Sequence, residues 1–104
     1  FDTSDSAEKA KNAAQRMVSQ EPDLVAATGA WLSSFTLAVT EVTERAELPM
    51  TTLSYADQIN SRGFKYIFQT SLHADAQAKA VLPAVLAVGE RVGAKVKTAA
   101  MQRR

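Results

Sequence analysis

The stretch LVAATGAWLSSFTLAVTEV, residues 24–42, changes its pattern at Gly29. From Leu24 to Ala30 it is a short apolar run bounded by Asp23 and Gly29, which suits a buried strand. Beyond it Phe35, Ala38, Val39, Val42 and Ala46 recur at i, i+3, i+4, i+7 and i+11, the stripe of an amphipathic helix. Glu41, Glu44, Arg45 and Glu47 share the other side of that helix, read as its solvent face. Strand, glycine turn and helix start thus follow one another within a few residues. In open parallel sheets ligands sit beyond the carboxyl ends of strands, and such a junction presents backbone N–H groups without intrahelical partners there.

The hydroxyl pair at Ser33 and Ser34 admits two readings. A hydroxyl cap on the helix is one. In the other, the same N–H groups and a hydroxyl hold an anion such as a carboxylate, and adjacent serines can do both. Trp31 beside them either walls an apolar ligand or packs as core or rim.

Upstream, Asp5 and Glu8 form an acidic variant of the capping box, and Ala7, Ala10, Ala14, Met17 and Val18 follow at helical spacing to about Gln20, where Pro22 stops the helix. Downstream, Pro49 closes the second helix and PMTTLS, residues 49–54, reads as a second strand. YADQINSRG is polar and turn-rich and ends at Gly63; FKYIFQT, Phe64 to Thr70, alternates as a third strand. A long Ala, Val and Leu segment from about Ala74 to Val92 reads as a helix with Gly93 just past its end, and Pro83 is expected to kink or split it. KVKTAAM, residues 95–101, offers a last short strand. Short buried strands alternating with covering helices predict an α/β layered domain, partly Rossmann-like, with a mainly parallel sheet and right-handed crossovers.

At 104 residues, with 46% hydrophobic and 22% charged residues, the chain allows one small folded domain. A net charge of +1 without long blocks of either sign implies no nucleic-acid partner. There is no cysteine, hence no disulfide, thiolate metal site or cysteine nucleophile, and no run approaches the roughly 20 apolar residues that span a bilayer. Metal-ligand spacing is absent, and no cofactor is implied. Ser33, His73 and Asp75 could be combined into a hydrolase triad, but the G-x-S-x-G elbow is missing and no catalytic residue is assigned. Arg62 reads as a loop-fixing residue or an anion contact, and Lys95, Lys97, Arg103 and Arg104 as a solvated basic tail.

The segments FDTSDSAEKAKNAAQRMVSQ, LVAATGAWLSSFTLAVTEVTERAELPM and LSYADQINSRGFKYIFQTS resemble successive parts of the type 1 periplasmic binding proteins. More narrowly they resemble the branched-chain amino acid (Leu/Ile/Val) class of ABC-transporter receptor, and the ordered set DTSD, GAWLSS, ERAELP, RGFKYIFQT and HADAQ is more specific than any one piece. The resemblance implies a periplasmic, non-enzymatic receptor whose two lobes close over an amino acid or related solute for delivery to ABC permease subunits. A ligand-sensing regulatory domain of the same fold is the alternative it leaves open, with a hydrolase third. It also implies that residues 1–104 are a single incomplete lobe reaching toward the hinge, cut from a longer precursor and lacking the first strand and helix, nearly all of the second lobe and the signal peptide. Such a lobe is expected to dimerise or exchange elements along the open edge of Leu24 to Ala30. By the resemblance the ligand contacts fall on Ser33, for the carboxylate, and on Leu53, Ser54 and Tyr55 after the next strand, joined by Trp31 and Ser34 from the junction itself. Leu53 and Tyr55 are bulkier than the small or hydroxyl residues usual in that second patch.

Overall fold

The computed structural model describes residues 1–94 and Lys97. The elements are α1 (Ala7–Gln20), β1 (Ala27–Thr28), α2 (Ser33–Arg45), β2 (Met50–Thr52), α3 (Gln58–Ser61), β3 (Ile67–Gln69) and α4 (Ala74–Arg91). The strands form one parallel sheet in the order β1-β2-β3, with Ala27 opposite Met50 and Met50 opposite Ile67. This is the α/β arrangement expected from the alternation of patterns. The strand expected at residues 95–101 lies outside the described residues, apart from Lys97. Two compact units divide the chain, Phe1–Ala74 and Asp75–Arg104.

In the first unit α1 packs on α2. The small side chains of Ala10, Ala13 and Ala14 are buried at that contact, which lets the two helices approach closely. The cap of α1 is Ser6, whose hydroxyl accepts from the Lys9 N–H at 3.2 Å, one residue later than the Asp5 box predicted. Asp5 is occupied instead by the Lys9 ammonium at 2.7 Å. The core gathers Ala10, Ala14, Val39, Val42, Met50, Ile59 and Ile67 around α2 and the sheet.

Three expectations are corrected here. The first strand is only Ala27–Thr28, because the Leu24 N–H is taken by the Glu21 carbonyl in the turn leaving α1, and Leu24 and Val25 are exposed. The polar stretch after β2 contains a helical turn, α3, whose Ile59 is completely buried. The buried stripe of α2 includes Thr36, Thr40 and Thr43 beside Val39 and Val42, whereas Ala46, read as part of the apolar face, is exposed. Buried threonine is tolerable because its hydroxyl can return to its own helix: Thr40 Oγ1 donates to the Thr36 carbonyl at 2.6 Å, leaving its methyl to pack.

Glu44 also departs from the solvent role read for it. Its two carboxylate oxygens accept the N–H groups of Lys65 at 2.8 Å and Tyr66 at 2.9 Å, just ahead of β3. Removing an ionised acceptor of two backbone donors costs about 2 kcal/mol. Glu44→Ala is therefore expected to lower the denaturation midpoint clearly, with Arg45→Ala on the exposed side nearly neutral; equal midpoints in urea melts would refute the clamp.

Between α1 and α2, Lys11 Nζ donates to Glu41 Oε2 at 2.7 Å, and this hydrogen bond and charge hold the Glu41 carboxyl below its usual range. A carboxyl depressed on folding stabilises the fold above its unfolded pKa and loses that contribution as pH falls through the folded value. Both side chains are more than a third exposed, so screening keeps the effect within about 1 kcal/mol. Between about pH 6 and about pH 3 the wild-type melting temperature should fall slightly more than that of Glu41→Gln; parallel curves would remove the bridge from the account.

In the second unit α4 runs through Pro83 without being split, contrary to one of the two expectations for that residue. Proline removes a single i→i−4 bond, and the remaining bonds of an 18-residue helix carry the element across it. Gly93, with φ +73°, ends it in a Schellman arrangement: Gly93 N–H donates to Glu90 O at 3.1 Å and Ala94 N–H to Gly89 O at 2.9 Å. Among the described residues no helix is long and apolar enough to cross a membrane.

Candidate functional site

The candidate binding residues fall on two loops at the carboxyl ends of neighbouring parallel strands and on the first turn of α2. Gly29 to Leu32 leave β1 for α2, and Leu53 to Asp57 leave β2 for α3. The first loop is bent by Gly29 at φ +128° and Ala30 at φ +53°, the latter a left-handed conformation that costs a non-glycine residue about 1–2 kcal/mol.

What holds that bend is a buried set of hydroxyls. Ser54 Oγ lies 2.8 Å from the Ala30 carbonyl oxygen and 2.9 Å from that of Trp31. Thr36 Oγ1 donates to the Ala30 carbonyl in a short hydrogen bond and lies 2.6 Å from Ser54 Oγ, while Thr52 Oγ1 reaches Ser54 Oγ at 3.1 Å. Thr36 and Ser54 are 0% exposed. The Ser54 carbonyl is occupied as well, by Gln69 Nε2 at 2.6 Å and Ser71 Oγ at 2.8 Å. Ser54, taken from the resemblance as a ligand contact, thus spends its polar groups inside the protein.

Ser33 behaves differently. The cap position of α2 is Leu32, without a side-chain cap bond, so neither serine caps the helix and that reading is corrected. The first N–H groups to find the Leu32 carbonyl are those of Phe35 and Thr36, leaving the Ser33 and Ser34 N–H groups ahead of the intrahelical ladder. Ser33 Oγ accepts the Ala56 N–H at 3.3 Å, which ties the two loops together and leaves the hydroxyl proton to donate elsewhere. Ser34 is exposed. On the same two loops Trp31, Leu32, Leu53 and Tyr55 are between 44% and 64% exposed, apolar surface beside these donors along the chain. A small solute with an anionic end and an apolar end fits such an arrangement.

Arg62 is held away from this centre. Its Nη1 donates to the Leu37 carbonyl at 3.0 Å, its Nη2 reaches Thr40 Oγ1, and its guanidinium stacks 4.2 Å over Phe64. Burial lowers its pKa, opposed by Glu41 and Glu44, so it fixes the loop, the first of its two sequence readings. His73 Nδ1 faces Asp57 Oδ1 at 3.4 Å, and not Asp75 as the triad would need. No group of His, Cys, Asp and Glu that could hold a metal occurs among the described residues. A cleft of about 250 Å³ lies between α1, β1 and the N-terminal residues, with Phe1, Ala10, Met17 and Met50 in its walls, and it reaches Gly29 and Ala30 of the first loop.

Thr36, Thr52, Gln69 and Ser71 were not anticipated. A signal is present for the first: Thr36, Thr40 and Thr43 recur at i, i+4 and i+7, the spacing of a helix face, although threonine counts as polar.

The parallel α/β fold of this chain is that of solved branched-chain amino acid binding proteins, over part of their length. The leucine binding protein LivK of Thermotoga maritima matches with 26% identity and a TM-score of 0.70, over 88% of this chain and 25% of that one. LivJ of Streptococcus pneumoniae, a branched-chain amino acid transporter substrate binding protein solved with isoleucine, matches at 20% identity and a TM-score of 0.63, over 70% of this chain and 21% of that one. The chain therefore spans about a quarter or less of the solved structures it matches. No protein-family description matches the sequence, and no curated protein does.

Proposed function

We propose that this chain forms one wall of the solute site in a two-lobe periplasmic receptor that captures a branched-chain or related amino acid for an ABC importer. The observation that carries the reading is Ser33: its hydroxyl accepts from Ala56 and keeps its proton for a ligand carboxylate, beside the unpaired N–H groups at the start of α2. Trp31, Leu53 and Tyr55 supply the surface for an aliphatic side chain, and Ser34 a second hydroxyl at the rim. The work is binding, with no bond made or broken.

A receptor of this kind covers its solute from both lobes and excludes water on closing, so one wall holds it weakly, at about millimolar affinity. Trp31, the single tryptophan, reports on the site directly. Isoleucine is expected to change Trp31 fluorescence in a saturable way, and Ser33→Ala to weaken that binding about tenfold while lowering the melting temperature only slightly through the lost Ala56 contact. Lost stability with intact binding would return Ser33 to a purely structural role.

A further inference from the structure

All residues of α4 except Gln77 and Gly89 are exposed, and the exposure includes its large apolar side chains. Val81, Leu82, Val85, Leu86 and Val88 are 45–62% exposed, and Val92, just past the last turn, 71%. A lone helix gains little stability from its own hydrogen bonds in water; in proteins it is held by the packing of its apolar face. That face has a pattern. Ala78, Val81, Val85, Val88 and Val92 follow one another by three, four, three and four residues, the spacing that keeps one seam of a helix against a second helix. The charges of α4 lie off the seam: Asp75 and Lys79 close an ion pair of 2.7 Å within the helix, and Glu90 and Arg91 fall between seam positions. Ala80 and Ala84 form an apolar groove with Val81, Val85 and Val88, small residues beside large ones, as interlocking helices require.

A seam without charge offers nothing to select a charged partner, yet it is complementary to itself, since in a two-fold pair the same residues meet from both sides. The six exposed Val and Leu side chains present on the order of 500 Å² per copy, so a pair covers about 1,000 Å², the lower bound for a specific association. The edge of β1, only Ala27–Thr28, offers far fewer groups for pairing. We propose that α4 pairs with α4 of a second copy of this chain through Ala78, Val81, Val85, Val88 and Val92. The contact does not involve the solute site, so it stands or falls apart from the receptor reading.

Sedimentation equilibrium of the wild-type chain from about 1 µM to about 200 µM tests the pairing. The mass is expected to rise with concentration from 11.2 kDa toward twice that value. Val85→Glu sets two carboxylates against each other in the seam and should stay at 11.2 kDa throughout, with the Trp31 melt of the first unit unchanged; Ala87→Glu, off the seam, should pair as wild type does. Because the chain has no cysteine, single cysteines report the contact independently. A bismaleimide able to span the about 8–10 Å between paired helix axes should cross-link Val85→Cys at least about tenfold faster than Ala87→Cys. Were Val85→Glu to alter the Trp31 melt, the cross-linking ratio decides. A wild-type chain monomeric at about 200 µM, a dimer that survives Val85→Glu as pairing along β1 would, or equal cross-linking of the two cysteine variants overturns the proposal.

Discussion

Val42→Asp is expected to remove most of the stability of the first unit. Val42 is 9% exposed in the core between α1, α2 and the sheet, and a carboxylate there loses most of its hydration among apolar side chains. The cost is about 4 kcal/mol or more, against a total stability of about 5–10 kcal/mol for a domain of this size. Circular dichroism should show the helical signal lost or the urea midpoint moved to near zero. A cooperative melt close to that of wild type would mean that the α1–α2 contact is misplaced.

Ile59→Ala should cost about 2–5 kcal/mol, the range for deleting a buried aliphatic side chain and leaving a cavity. Ile59 is 0% exposed and belongs to the one short turn, α3, that the sequence disguised as loop. Its neighbours Gln58, Asn60 and Ser61 are polar, so a single buried position within four residues leaves no period to detect. Urea melts of Ile59→Ala against wild type decide it. A shift smaller than that of Glu44→Ala would place Ile59 outside the core.

Alternation of apolar runs with helical stripes was enough for the layer order, since a parallel sheet with helices is the arrangement that buries such runs. Helix ends were readable where backbone chemistry dictates them, as at Gly93 with its positive φ, and misread where neighbouring residues competed for one role, as Asp5 and Ser6 did for the cap. Threonine misled the reading of α2, because its polarity argues for solvent while its methyl and its hydrogen bond to the preceding turn permit burial. Glu44 misled it in the opposite sense: nothing local marks a carboxylate that will meet the backbone of residues 65 and 66. At the candidate site, the strand, turn and helix junction brought forward Trp31 and the pair Ser33 and Ser34, and the family resemblance chose Ser33 between them. The fixed position of Ser54 could not, because it depends on carbonyls more than twenty residues away.

The central claim is that the carboxyl ends of β1 and β2 form an amino-acid-binding edge, and a ¹⁵N amide spectrum of the wild-type chain, titrated with isoleucine to about 50 mM, tests it most directly. The account predicts saturable shifts confined to residues 29–35 and 53–57, with Ser33, Ser34 and Ala56 moving furthest. Shifts centred instead on the cleft walled by Phe1, Ala10 and Met17, or no saturable shift at all, would contradict it.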